Sequence, residues 1–252
     1  MSRYNRMTYT SMGFPRWTRG VKTLILACVI TFVVQIIAGY GFTQRFGLTP
    51  AQVLYQGHIW QLATYIFLHD PNNIMHILIN MLGLWMFGSE LEMLWGTRQF
   101  TKFFFVCGAG AGVLMVLLSL LTGVDNRTTI GASGSLYGVL LAFAMIYPDR
   151  IIQWIIFPIP AKYFVMILGG IAFFSSVSAS GSGVAHVAHL GGMLCGYLYL
   201  KSRGAVGRRR GTWFGGLRAL FDTWRRNRLR RKFDVYYNRR HSDEEKWRRW
   251  KN

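Results

Sequence analysis

Residues 103–122, FFFVCGAGAGVLMVLLSLLT, run for twenty positions without a charged side chain. A helix needs about 20 apolar residues to cross the hydrocarbon core of a bilayer, so this stretch predicts a membrane span. Working outward in both directions, the same criterion predicts six spans, near 22–42, 72–89, 100–122, 132–148, 153–176 and 184–201. The predicted fold class is therefore an all-α membrane protein, a bundle of six transmembrane helices.

The basic side chains are concentrated at the two ends of the chain. Of the 29 Lys and Arg, five lie in residues 1–22 and eighteen in residues 201–252, and the formal net charge is +19. Such an excess is typical of the cytoplasmic flanks of membrane spans. Six spans also place both ends on one side, so we expect cytoplasmic N- and C-termini. A basic chain could indicate a nucleic-acid partner, but the position of these charges beside apolar spans favours membrane flanks and no nucleic-acid partner.

Three domains follow from this distribution: a basic flank (1–21), the helical bundle (22–201) and a basic tail (202–252). The tail alternates Arg clusters with aromatic side chains, a composition typical of segments that lie on anionic lipid. Its aromatic residues include Trp213, Phe214, Trp224, Trp247 and Trp250. Residues 43–71 are too apolar for a free linker, and we expect an external loop at the membrane surface.

Strongly polar side chains inside membrane spans are energetically unfavourable, so each is a candidate for function. The candidates are His76 and Asn80 on span two, Ser133 on span four, and His186 and His189 on span six. With the N-terminus inside, spans two, four and six all start at the external face. Side chains from three helices are therefore predicted to meet near that face.

A serine hydroxyl becomes a useful nucleophile when a base removes its proton, and histidine has a suitable pKa. The candidate pair is Ser133 with a histidine of span six. Tyr137, one turn after Ser133, is placed to stack on that imidazole. The acidic residues outside the tail all fall in loops or at span ends, so we expect a catalytic dyad without the carboxylate of a triad. They are Asp70, Glu90, Glu92, Asp125 and Asp149.

Acyl transfer also needs donors for the tetrahedral oxyanion. Ser133 is predicted at a helix start, where backbone N–H groups lack partners. His76 and Asn80 can add side-chain donors from span two. Gly131 and Gly134 would permit a tight backbone and leave room for a substrate carbonyl.

Together these motifs resemble those of the rhomboid family of intramembrane serine proteases. The match covers residues 57–196, and its combination of elements is more specific than GxSG alone. The elements are Gly57-His58-Ile59-Trp60 with Thr64 and Phe67-Leu68-His69, His76-Ile77-Leu78-Ile79-Asn80, Gly88 with Glu92 and Gly96, Gly131-Ala132-Ser133-Gly134 with Tyr137, and Ala188-His189-Leu190-Gly191-Gly192 with Gly196.

The resemblance implies a dyad of Ser133 and His189, because His189 carries the glycines three and seven positions later. It implies an oxyanion site from His76, Asn80 and the Ser133 amide, with Tyr137 packed on the histidine. It also implies that transmembrane proteins are substrates, cleaved near their external ends. We expect a bacterial inner membrane as the location, with the active site near the external face. One departure is Gln61, where many relatives carry Arg.

Other functions fit the residues less well. An inactive relative that binds transmembrane clients typically lacks the Ser or the His, and both are present here. A zinc site could draw on His69, His76, His186 and His189, but the sequence has no HExxH and no evident carboxylate ligand. A transporter predicts two related halves and mid-depth polar residues, and we find neither. The sequence thus predicts no metal and no cofactor, and it leaves the oligomeric state open.

Overall fold

The computed structural model describes residues 15–123, 126–154, 157–177 and 183–203, and these ranges are mostly helical. The elements before residue 100 are α1 (Arg19–Ala38), α2 (Tyr40–Phe46), α3 (Pro50–Gln56), α4 (Gln61–Thr64) with a 3₁₀ turn (Tyr65–Phe67), α5 (Ile74–Gly83), a π-helical turn (Leu84–Gly88), α6 (Ser89–Trp95) and the start of α7 (Thr97–Thr122). After α7 come α8 (Ser133–Ile146), β1 (Ile151–Trp154), β2 (Phe157–Pro160), α9 (Ala161–Val177) and α10 (Gly183–Ser202).

The chain divides into two compact units, Met1–Ala205 and Val206–Asn252. The second unit, which contains nearly all of the predicted basic tail, lies outside the described residues, as does the N-terminal flank up to residue 14. The three predicted domains therefore remain predictions.

Three helices are long and apolar enough to cross a membrane, judged by length and composition over the described part of the chain. They are α1, the continuous helix Ile74–Trp95 and α7, while α8 and α9 are shorter apolar helices. Large hydrophobic side chains are exposed along α1, such as Ile37, and along α5, such as Ile79. Exposure of this kind is expected of a surface that faces lipid. The chain is a mostly helical membrane protein, and a crossing by all six predicted spans stays a prediction, as do cytoplasmic termini.

The first helix is held at its N-terminus by a carboxylate from another helix. Glu92, almost fully buried on α6, accepts hydrogen bonds from the backbone N–H groups of Gly20 (2.7 Å) and Val21 (2.8 Å) and from the hydroxyls of Thr18 and Thr97 (both 2.6 Å). The first N–H groups of a helix have no partner within it, and a negative charge there is favourable. Glu92 thereby joins α1, α6 and the start of α7.

Helices α7, α8 and α10 pack closely through small residues. A Cβ at Gly192 would lie 1.8 Å from the carbonyl oxygen of Gly134, and one at Gly138 would lie 2.5 Å from Sγ of Cys107. Only glycine permits backbones this close, as in other lipid-embedded helix pairs. The α8–α10 contact determines how the two helices carrying Ser133 and His189 meet.

The segment between α1 and α5 differs from the loop that its composition predicts. It forms the short helices α2, α3 and α4, and most of residues 61–69 are buried or half-buried, including Gln61, Tyr65 and His69. The side-chain oxygen of Gln61 accepts a hydrogen bond from the Thr49 N–H, and its amide nitrogen donates to Gln52. Buried contacts of this kind turn an apparent surface loop into part of the bundle.

The predicted fifth span also needs correction at its start, because the strands β1 and β2 pair there in antiparallel fashion. Pro158 and Pro160 lack a backbone N–H, and a residue that precedes a proline is directed toward extended conformations. The helix therefore begins at Ala161, eight positions after the predicted start. The first span likewise ends earlier than predicted, at Ala38, where Gly39 has a φ of 75°.

Candidate active site

The nucleophile candidate stands at the first residue of α8. Oγ of Ser133 lies 2.8 Å from Nε2 of His189, which is the seventh residue of α10. This is hydrogen-bond distance between a hydroxyl and an imidazole nitrogen. The close packing of α8 on α10 at Gly134 and Gly192 brings the two side chains together.

The imidazole of His189 is oriented by an aromatic ring. Its centroid lies 4.2 Å from that of Tyr137, with an angle of 2° between the planes. Nδ1 of His189 is buried and has no hydrogen-bond partner among the described residues. For Nε2 to accept the serine proton, the ring must carry its own hydrogen on Nδ1. Tyr137 thus stacks on the ring that a carboxylate would orient in a triad, and its orienting role stays a prediction.

The described acidic residues are engaged elsewhere, in line with a dyad. Glu92 caps α1, Glu90 pairs with Arg150 (2.9 Å), Asp149 pairs with Lys162 (2.6 Å), and Asp70 accepts a hydrogen bond from the backbone of Asn72. Glu92 also lies sixteen residues after His76 on one continuous helix, which at the α-helical rise is about 24 Å. The fifth candidate, Asp125, lies outside the described residues.

His76 faces the loop in front of the serine. A Cβ at Gly131 would lie 2.9 Å from Nε2 of His76 and 3.7 Å from Oγ of Ser133. The backbone N–H of Asp70 donates to Nδ1 of His76 over 3.3 Å, so a neutral ring carries its proton on Nε2. His76 therefore presents an N–H donor beside Ser133. The Asp70 contact has no signal in the sequence, because it depends on a loop conformation.

Asn80 lies one turn after His76 on the same helix and is almost fully buried. Its Nδ2 donates to the carbonyl oxygen of His76 over 2.7 Å, and its Oδ1 has no partner among the described residues. An amide nitrogen carries two hydrogens, so one remains for another acceptor. Among the described residues no hydrogen bond joins Asn80 to Ser133, and the role of Asn80 stays a prediction.

The two flanking glycines do different things. Gly131 has a φ of 126°, a conformation that other residues rarely adopt, and it has no room for a side chain against His76. Gly134 instead lies against other helices, since its Cβ would be 3.1 Å from Ala111 and 3.4 Å from the carbonyl oxygen of Ala188. Gly131 fits the expected tight turn, and Gly134 is a helix-packing residue.

Two further histidines lie edge-on against the histidines of this region. His186 meets His189 edge-on, with centroids 5.8 Å apart, and His69 meets His76 edge-on at 5.1 Å. Burial lowers the pKa of His69 to about 4, and His76 nearby acts in the same direction. No group of three or more His, Cys, Asp or Glu suited to a metal occurs among the described residues.

A comparison with protein-family models matches residues 56–204 to the Rhomboid domain, more than half of the chain. This chain belongs to the rhomboid family. Ser133, His189, His76, Asn80 and Tyr137 all lie within the matched range. The family predicted from the motifs is thus confirmed.

Curated rhomboids from several kinds of organism resemble the chain. Rhomboid protein 1, mitochondrial, of Saccharomyces cerevisiae is 36% identical over 49% of this chain and 36% of its own length. Rhomboid protease GluP of Bacillus subtilis is 26% identical over 74% of this chain and 36% of its own length. Rhomboid protease GlpG of Haemophilus influenzae is 24% identical over 72% of this chain and 90% of its own length.

The chain spans about a third of the length of the first two of these relatives, at 36% each. The family includes proteins named as proteases. Together with the family, the apolar helices of this chain indicate an integral membrane protein. Because its relatives come from a mitochondrion, from plants and from bacteria, the comparisons do not support the predicted bacterial inner membrane over other membranes.

Proposed function

We propose that this rhomboid is an intramembrane serine endopeptidase that hydrolyses peptide bonds in or near the transmembrane helices of other proteins. The observation that carries the proposal is the 2.8 Å contact between Oγ of Ser133 and Nε2 of His189. It joins Ser133, the first residue of the apolar helix α8, to a base with its accepting nitrogen turned toward the hydroxyl.

In the first step, Oγ of Ser133 attacks the scissile carbonyl carbon while Nε2 of His189 takes the hydroxyl proton. The C–O bond to Ser133 forms as the carbonyl becomes a tetrahedral oxyanion. The imidazolium then gives its proton to the leaving amine, the C–N bond breaks, and an acyl-enzyme remains. Water, deprotonated by His189, hydrolyses the ester and restores Ser133.

Oxyanion stabilisation falls to donors around Gly131. The Ser133 amide belongs to the first turn of α8, where backbone N–H groups lack helical partners, and Nε2–H of His76 faces the same loop. Asn80 would add its second amide hydrogen. Tyr137 stacks on the His189 ring in a parallel plane and so holds the orientation of the imidazole toward Ser133.

Transmembrane proteins are the proposed substrates because the catalytic groups lie near helix starts within an apolar bundle. Ser133 is the first residue of α8 and His76 the third of α5, so the site lies toward one end of these helices. A substrate helix cleaved there would be cut near its end, at the external face if the termini are cytoplasmic. We place the protein in a bacterial plasma membrane as a hypothesis, with the basic tail on anionic lipid.

A second function, an inactive rhomboid that binds transmembrane clients without cleaving them, stands against the proposal. It would leave the Ser133–His189 contact without a use. The two functions differ in one observable property, which is whether Ser133 is a reactive nucleophile.

The test uses the full chain in detergent with a fluorescent alkyl phosphonate, a probe that reacts covalently with activated serines. We expect labelling of Ser133, its loss in Ser133→Ala and in His189→Ala, and its retention in His186→Ala as the matched histidine control. The same variants should show loss or retention of cleavage of a transmembrane reporter. Cleavage that persists without Ser133 would refute the protease mechanism, and a wild type that never reacts would favour the client binder.

A further inference from the structure

We propose that Tyr65 is a positioning residue for the proposed protease: a buried strut that ties the loop in front of Ser133 to helix α7. This inference rests on the proposed function. Tyr65 opens the 3₁₀ turn Tyr65–Phe67 and is 1% exposed, among the most buried large side chains described. None of the motifs of the family resemblance includes it.

The side chain of Tyr65 reaches α7 and ends in a hydrogen bond. Its hydroxyl donates to the carbonyl oxygen of Gly108 over 2.7 Å, across a separation of 43 residues. Burial raises the pKa of Tyr65 above its ordinary value, so the hydroxyl keeps its proton and remains a donor. The ring also lies beside Gly112, whose Cβ would be 3.3 Å from Cε1. Tyr65 is therefore fixed to α7 at two successive turns.

The backbone of the same residue holds the catalytic loop. The carbonyl oxygen of Tyr65 accepts a hydrogen bond from the N–H of Gly131 over 2.9 Å. Gly131 is the glycine with the φ of 126° that faces both His76 and Ser133. A displacement of the Tyr65 carbonyl would therefore move the groups that surround the reacting carbonyl of a substrate.

The hydroxyl also lies against the first turn of α8. A Cβ at Gly134, the residue after Ser133, would lie 3.4 Å from the Tyr65 oxygen. One side chain thus contacts α7 and the turn that carries the nucleophile, while its own backbone holds Gly131. Such a connection sets the distance between the serine and the oxyanion donors.

Loss of the hydroxyl should affect the reaction more than substrate binding. Misplacement of catalytic groups by about 1 Å can slow a reaction by about 100-fold. Tyr65→Phe keeps the ring and removes only the bond to Gly108, so a smaller shift is expected. We expect kcat and the rate of phosphonate labelling to fall by about 5- to 50-fold, with KM within about twofold of wild type.

Tyr199→Phe is the matched control. The hydroxyl of Tyr199 is buried but has no hydrogen-bond partner among the described residues, and it lies ten residues after His189 on α10. Removing it deletes the same atom without deleting a hydrogen bond. Tyr199→Phe should react and cleave at rates within about twofold of wild type, because no hydrogen bond is lost.

A second measurement does not depend on activity. Amide hydrogen exchange of the full chain, followed by mass spectrometry in the Ser133→Ala background, reports on the Gly131 N–H. We expect Tyr65→Phe to speed exchange in the peptide containing Gly131 and to leave α1 peptides unchanged. Equal acceleration in all peptides would mean general destabilisation and would overturn the strut.

The two proposals fail in different ways. Absence of labelling in wild type would refute the protease function, whereas faster exchange at Gly131 would still support the strut. A labelled wild type with an equally reactive Tyr65→Phe and unchanged exchange would leave the protease intact and show that Tyr65 positions nothing.

Discussion

Replacement of Glu92 by glutamine tests how the first helix is attached to the bundle. Each carboxylate oxygen accepts two hydrogen bonds: Oε1 from Gly20 N–H and Thr97, and Oε2 from Val21 N–H and Thr18. In Glu92→Gln one oxygen becomes an NH₂ group that faces a backbone N–H, donor against donor. The adjacent threonine hydroxyl can rotate to accept from the new amide, but the backbone N–H cannot.

The expected magnitude follows from these contacts. Hydrogen bonds to a charged group are each worth about 1.5–3 kcal/mol, so losing two costs about 3–6 kcal/mol, of which a rotated hydroxyl recovers about 1 kcal/mol. The free energy of unfolding should therefore fall by about 2–5 kcal/mol. At about 2–4 °C per kcal/mol for a domain of this size, the melting temperature should drop by roughly 4–20 °C.

Thermal unfolding of the full chain in detergent can be followed with a fluorogenic maleimide that reacts with newly exposed thiols. Cys28, on α1, and Cys107, on α7, are both fully buried and report on α1 and on the centre of the bundle. Glu90→Gln is the matched control, because its pairing with Arg150 is partly exposed and such pairs contribute about 0.2–1 kcal/mol. A Glu92→Gln protein that melts no earlier than Glu90→Gln would refute the capping role.

Two further predictions concern the site and the packing beneath it. Tyr137→Phe preserves stacking on His189 and should keep near wild-type activity, whereas Tyr137→Ala should slow phosphonate labelling by about 2- to 13-fold, the equivalent of about 0.5–1.5 kcal/mol for an aromatic pair; equal rates in the two variants would argue against orientation by stacking. Gly192→Ala should prevent stable assembly, because its Cβ would lie 1.8 Å from the Gly134 carbonyl oxygen, while Gly170→Ala, with no atom within 4 Å, should fold normally; size-exclusion profiles of the two variants compare them directly.

The membrane class and the family can be predicted from the chain alone because both depend on local patterns. Apolar runs such as 103–122 reflect the thickness of a bilayer. The positions of Ser133, Tyr137 and His189 in the sequence can be recognised as motifs without knowing how the chain folds. The convergence of three helices could also be anticipated, since alternating spans begin at the same face. The structure brings Ser133 to His189 and His76 to Gly131.

Other features escaped prediction, either because hydropathy outweighed a local signal or because they depend on contacts between distant segments. The composition of residues 151–160 is apolar enough for a span, yet two prolines stop the helix until Ala161. Glu92 was recognised as an acid at a span end and as part of the family motif, but its capping of α1 was not predicted, since its partners on α1 lie more than seventy residues earlier. The burial of residues 61–69 was likewise invisible, because aromatic loop residues suit a membrane surface equally well.

Hydropathy, charge asymmetry and motif spacing were sufficient to identify a helical membrane protein of the rhomboid family and to select its candidate residues. These features depend on the order of residues in the sequence and not on which side chains are in contact in the folded protein. Only the tertiary structure shows that Gly192 allows α10 to pack closely on α8, and that the Asp70 N–H fixes the tautomer of His76 with its proton on Nε2. It also shows that Tyr65 links α7 to Gly131. The first and the last of these depend on contacts between residues far apart in sequence, which only close packing can bring about, and the second depends on a loop conformation.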